Sequence, residues 1–208
     1  RGISSIRLRG GQPTKMTEGN PCTFPSSDDV LVEGYLTSRI SRLDVSASRD
    51  VNLNAVASDP APVSGILVLL DVFGVRDERN LRWMDKLAVE TGCLVFAPDL
   101  FRTKPWDAEV YGGSTSSPAY ETWRSLHPPE RVVEDIRASS RFLRSKLQAA
   151  AGGGTQLESQ CKFGAVGFCF GGGRVLEALA QDNFAGPVDA AVVFYPTRVN
   201  VDQVQAGL

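Results

Sequence analysis

Cys169 sits at the centre of Gly164-Ala-Val-Gly-Phe-Cys-Phe-Gly-Gly-Gly173. The residues before it, Lys162 to Val166, read as a short buried strand, and Arg174-Val-Leu-Glu-Ala-Leu-Ala180 as the first turns of a helix. A strand that turns sharply into a helix forces an uncommon backbone conformation on the corner residue, and such strain gathers at functional sites. Gly167 and Gly171, two residues away on either side, let strand and helix approach without Cβ clashes. This is the nucleophile-elbow pattern with Cys in place of Ser. It lifts the sulfur out of the sheet and aims the Phe170 N–H, at the helix N-terminus, toward the same space. The chemistry on offer is thiolate attack on a carbonyl. A free thiol titrates near about 8.5 and is only a few per cent ionised at pH 7, so such a cysteine needs a base or cation nearby. Two other readings compete. A free cysteine is most often a small buried hydrophobe, and a Gly-rich strand-to-helix turn often cradles phosphate. The phosphate motifs fail, because no Gly-Lys-Ser/Thr follows and Leu176 stands where G-x-G-x-x-G needs its last glycine.

The elements that must hold this corner fit one domain. A chain of 208 residues can bury roughly 70% of its unfolded surface without staples. A hydrophobic share of 42% with 22% charged residues is ordinary for a globular protein. A net charge of −2 argues against nucleic acid or an anionic membrane as partner. Cys22, Cys93, Cys161 and Cys169 lack the spacing of a zinc ribbon or a redox pair, and the chain holds one His, so no metal is expected. The thiols read as reduced and the location as cytoplasmic. Arg1, Arg7, Arg9 and Lys15, with no acid among them, give residues 1–28 the look of a disordered or transit-like segment, and with it an organellar alternative. No apolar run reaches the roughly 18 residues of a membrane span.

Residues 10–29 read as loop, and Val30–Leu36 and Val51–Val56 as short antiparallel strands. Gly65–Leu70 is a continuous apolar run of the kind that parallel strands show when helices cover both faces. Asp77 caps a helix carrying Leu81, Met84, Leu87 and Ala88, which Gly92 closes. Cys93–Ala97 is the next buried strand. Residues 99–127, with Trp106, Tyr111, Tyr120 and Trp123, read as a long functional loop. After Pro128-Pro129 comes a helix with Val132, Ile136, Leu143 and Leu147 on one face. Val188–Tyr195 reads as one more buried strand. The sum is an α/β protein with a mostly parallel sheet and right-handed crossovers, its domain covering 29–208.

Four pieces resemble the dienelactone hydrolase (carboxymethylenebutenolidase) family. They are Leu70-Asp-Val-Phe-Gly-Val75, Gly92-Cys-Leu-Val-Phe-Ala-Pro-Asp-Leu-Phe101, Lys104-Pro-Trp-Asp107 with Trp123 further on, and Gly164 to Gly172 around Cys169. Asp71 and the Pro-Trp-Asp piece are closer to the family's eukaryotic branch, since the bacterial enzymes carry Glu at the place of Asp71. The resemblance implies an α/β-hydrolase three-layer sandwich. It implies Cys169 as nucleophile, the N–H groups of Val72 and Phe170 as oxyanion hole, and Asp71 as the acid that governs the thiol; on turn preferences alone Asp71 reads as a strand-end residue capping a turn. Small lactones or esters would be cleaved through an acyl-cysteine intermediate, by a monomer with no cofactor. Trp123 and Arg124 are candidate substrate contacts, with Arg102 as another arginine in the loop; for the arginines, solvated surface charge is the competing reading.

The family's fold orders its triad as nucleophile, acid, His. No His follows Cys169. His127 lies before the elbow, in the wrong order for a triad base. Among the later acids, Glu177 and Asp182 read as solvated surface, Asp189 as lying at the strand end away from the site, and Asp202 as part of a frayed tail. The expectation is a fragment with its C-terminal triad Asp and His missing, which would lower turnover by about 10⁴-fold. The alternative is a non-catalytic binding protein that works through the 99–127 loop.

Overall fold

The computed structural model describes residues 20–25, 31–38, 64–111, 117–151 and 161–207. Six strands form one sheet: β1 (Asn20–Pro25), β2 (Leu31–Thr37), β3 (Ser64–Leu69), β4 (Leu94–Pro98), β5 (Lys162–Phe168) and β6 (Ala190–Phe194). The helices are α1 (Glu78–Thr91), α2 (Ala108–Tyr111), α3 (Pro118–Ser125), α4 (Pro129–Ala150), α5 (Phe170–Ala180) and α6 (Val201–Gly207). The strand order is β1-β2-β4-β3-β5-β6. β1, β2 and β4 pair antiparallel in succession, and β4, β3, β5 and β6 run parallel.

The parallel strands are apolar on both faces because helices lie over both. Leu67, Leu69, Phe96, Phe163 and Ala165 pack with the α4 residues Val132, Ile136, Leu143 and Leu147 and with Val175 and Ala178 of α5. The alternate residues Val68, Val95 and Ala97 pack on Met84 and Ala88 of α1. The period-2 alternation of a strand thus divides one apolar run between two helix layers. Asp77 caps α1 through the Arg79 N–H (2.8 Å), and Gly92, at φ 70°, closes it.

Three expectations need correction. Residues 10–29 are not all loop, because Asn20–Pro25 forms the outer strand β1, whose Cys22 and Phe24 reach the core. The 99–127 stretch is not structureless. It carries α2 and α3, and Trp106, Tyr120 and Trp123 are buried in it. Their mutual ring contacts build a small core of their own, which is why no single helical period runs through the sequence. Residues 188–195 are not buried in this chain either: β6 stands at the edge of the described sheet, with Val192 49% and Phe194 45% exposed, as an apolar strand does when a fragment leaves it without its neighbour. The proposed strand Val51–Val56 lies outside the described residues.

The segment after β4 is fastened to α4. Asp99 accepts from the N–H groups of Phe101 (3.1 Å) and Thr103 (2.7 Å), and Asp135, fully buried on α4, pairs with Arg102 (2.8 Å) and Arg131 (2.9 Å). Arg102 is therefore a structural cation.

Candidate active site

Cys169 occupies the corner between β5 and α5 with φ 52° and ψ −114°. A side-chain-bearing residue rarely adopts a positive φ, and holding one there takes support on both sides. The Cys169 N–H donates to Phe194 O (3.0 Å), and its carbonyl accepts from Gly173 N–H (3.2 Å) and Thr197 N–H (3.0 Å). Gly171 N–H donates to Leu70 O (3.1 Å), which draws the first turn of α5 against the end of β3. A Cβ on Gly171 would lie 1.9 Å from Leu69 O, and one on Gly167 2.6 Å from Gly171 O. Those two glycines are the condition for the corner to close.

The close approach brings the two expected donor groups to the same end of the sheet. Among the described residues, neither the Val72 N–H nor the Phe170 N–H has an acceptor. The Val72 carbonyl, by contrast, accepts from Trp106 N–H (2.8 Å), which fixes the orientation of this backbone segment. Backbone donors left free beside a nucleophile can receive a developing oxyanion.

The Asp71 carboxylate caps its own turn, accepting from Phe73 N–H (3.0 Å) and from the Asn80 side-chain amide (3.3 Å). The Tyr195 phenol is pushed up by burial first, and then by the charges of Asp71 and Cys169. The Cys169 sulfur lies 3.9 Å from the Thr197 hydroxyl.

His127 is elsewhere. It is buried, packed edge-on against Phe101 (5.3 Å between ring centroids) and Trp123 (4.9 Å), with its Nδ1 3.0 Å from the Arg131 guanidinium. Burial, with help from Arg131, lowers its pKa to about 4, and the Lys104 carbonyl opposes part of that shift. The imidazole is neutral and belongs to the core. Trp123 is 1% exposed, donates its indole N–H to Lys104 O (2.8 Å) and touches four other rings, so it is packed in the core and not open to solvent.

Arg124 is exposed and pairs with Glu121 (3.1 Å), which also holds Arg198 (2.8 Å). It lines a cleft of about 440 Å³ with Arg174, Glu177, Arg198 and His127. The cleft reaches the elbow at Phe170, but Cys169 does not line it. Glu177 is not the solvated surface acid its sequence position suggests: its side chain is mostly buried against Arg174 (2.6 Å). Burial lowers Arg174 and raises Glu177. Asp189 bonds Lys162 (2.8 Å) and Phe163 N–H (2.8 Å) where β5 begins, at the other end of the strand from Cys169. Asp202 lies in the first turn of α6. Thr197 and Tyr195 escape sequence reasoning. The one available signal is Pro196, which stops the strand and stands immediately before the residue that folds back on the elbow.

Among the described residues no group of three or more His, Cys, Asp or Glu is placed to hold a metal ion, and no helix is long and apolar enough to cross a membrane. The chain is 26% identical to hydrolase tropI of Talaromyces stipitatus over 186 residues, 86% of this chain and 66% of that protein. It is 30% identical to the carboxymethylenebutenolidase homologue of Mus musculus over 108 residues, 51% of this chain and 37% of that protein. The chain thus spans about two thirds or less of the curated relatives it matches. Brefeldin A esterase, a bacterial homologue of human hormone sensitive lipase, superposes with a TM-score of 0.53 at 13% identity, over 96% of this chain and 47% of that one. This likeness establishes an α/β-hydrolase fold, in keeping with the parallel sheet and its two helix layers. The dienelactone hydrolase family model matches residues 53–207, a stretch that contains the elbow, the Asp71 turn and the 99–127 segment, and the chain belongs to that family.

Proposed function

We propose that this protein cleaves small esters or lactones, with Cys169 as the nucleophile. The observation that carries the reading is the strained corner at Cys169 beside two backbone N–H groups without acceptors. The thiol first gives up its proton to solvent, which later returns one to the departing alcohol. The sulfur then bonds to the carbonyl carbon, and the carbonyl oxygen takes up the negative charge facing Val72 and Phe170. Collapse breaks the C–O bond of the ester and releases the alcohol, which gains a proton. Water then attacks the acyl-cysteine, freeing the acid and restoring the thiol. In this reading Asp71, in the turn after β3, takes the place of the family's acid. No cofactor takes part in this scheme. No disulfide joins Cys22, Cys93, Cys161 and Cys169, which supports a reducing, cytoplasmic setting, and the reading takes the protein as a monomer.

Cys169→Ala is expected to lower turnover of p-nitrophenyl acetate by about 10³-fold or more, and intact-mass analysis of the wild type to reveal an acetyl adduct on Cys169. Unchanged turnover in the variant would overturn the reading. The second reading, a binding protein without catalysis, is favoured by the burial of His127 in the core, away from the sulfur. It predicts a Cys169 that stays unlabelled by iodoacetamide at neutral pH.

A further inference from the structure

The turn after β6 grips the elbow through three contacts. Phe194 O accepts from Cys169 N–H, Thr197 N–H donates to Cys169 O, each at 3.0 Å, and the Thr197 hydroxyl stands 3.9 Å from the sulfur. The two backbone bonds hold residues 194–197 against the Cys169 main chain, which brings the Thr197 hydroxyl within reach of the sulfur. The turn is bent to achieve it. Tyr195, a bulky residue, is held at φ 37°, and Arg198 at φ 54°. Gly173 is shaped to the same segment, since a Cβ there would lie 2.1 Å from Thr197 O.

A thiolate can only accept hydrogen bonds, so once the sulfur is ionised the hydroxyl must be the donor. Two ionisable groups are electrostatically linked to this corner: Tyr195, after β6, which feels the charge of Cys169, and Asp71, after β3, which Tyr195 also feels. Neither brings positive charge. Arg174 and Arg198 are turned into the neighbouring cleft and paired with Glu177 and Glu121. The geometry points to Thr197 as a positioning residue for Cys169, its hydroxyl holding the sulfur in place and donating to the thiolate. This inference rests on Cys169 being the nucleophile proposed above.

The test compares Thr197→Val, nearly the same shape without the hydroxyl, with Thr197→Ser, which restores it. Alkylation of Cys169 by iodoacetamide is followed by peptide mass spectrometry from pH 5 to 10. Losing one hydrogen bond to the charged form should slow alkylation of Thr197→Val about three- to tenfold at pH 7 and move its pH profile upward, with the same plateau at high pH. Thr197→Ser should return to within about twofold of the wild type. A Thr197→Val profile that overlays the wild type overturns the inference, and so does a Thr197→Ser variant as slow as Thr197→Val, which would assign the effect to packing. Ester turnover by Cys169→Ala is measured alongside. Turnover there would sink the nucleophile assignment, while the alkylation profiles would still report whether the hydroxyl acts on the sulfur.

Discussion

His127 carries a pH dependence whose sign follows from its burial. In the unfolded chain the imidazole titrates near 6.5, and in the folded protein at about 4. Between those values the unfolded state holds a proton that the folded state lacks. Acidification from pH 6.5 to 4 therefore removes stability, up to about 3 kcal/mol, and nothing is lost above 6.5. Urea midpoints of wild type and His127→Gln, compared at pH 7 and pH 4.5, should differ less at the lower pH. A gap that stays constant would mean that His127 is accessible to protons in the folded state. Cys22 makes the opposite case for a thiol: burial pushes it up to about 12, so it should resist alkylation at pH 8 long after Cys93 has reacted. The corner at Cys169 was legible in sequence because glycines flank it at fixed places. Asp71 was legible as a strand-end acid capping a turn, yet its bond to Asn80 was not, since Asn80 sits nine residues away on another element.

At the scale of elements, the elbow depends on α5 lying against β3. Gly171→Ala would drive a methyl into the Leu69 carbonyl, and neither backbone can yield without moving a strand or a helix. The expected cost is about 3 kcal/mol or more, read as a lower melting temperature together with loss of Cys169 alkylation. A melt unchanged by the substitution would mean that α5 stands further from β3. Asp135→Asn tests the second fastening. It leaves Arg102 and Arg131 against an amide where a buried carboxylate stood, and should cost about 3–5 kcal/mol. The helices that the sequence announced clearly, α1 and α4, have an apolar stripe of period 3.6 and a cap or proline at the start. α2 and α3 are too short for a period, and their aromatic residues are buried by contacts across the segment, which no local pattern encodes.

For the whole molecule, strand type was legible and strand position was not. The apolar runs of β3, β4 and β5 signalled parallel strands, but only pairing decides that β6 stands at the edge. That edge carries no charge, the usual protection against edge-to-edge pairing. Val192→Lys should therefore reduce light scattering at high protein concentration without changing the circular dichroism spectrum. A final consequence follows from the bonds between Cys169 and the turn after β6. The conformation of residue 169 is secured by residues 194 and 197, so the corner cannot be set when β5 and α5 emerge from the ribosome. It must wait until the next strand has been synthesised and paired. A nascent chain, or a molecule in which β6 has peeled away, carries an ordinary flexible cysteine there. Reactivity of the thiol is in this sense a reporter of β6 pairing, acquired with that strand and lost with it.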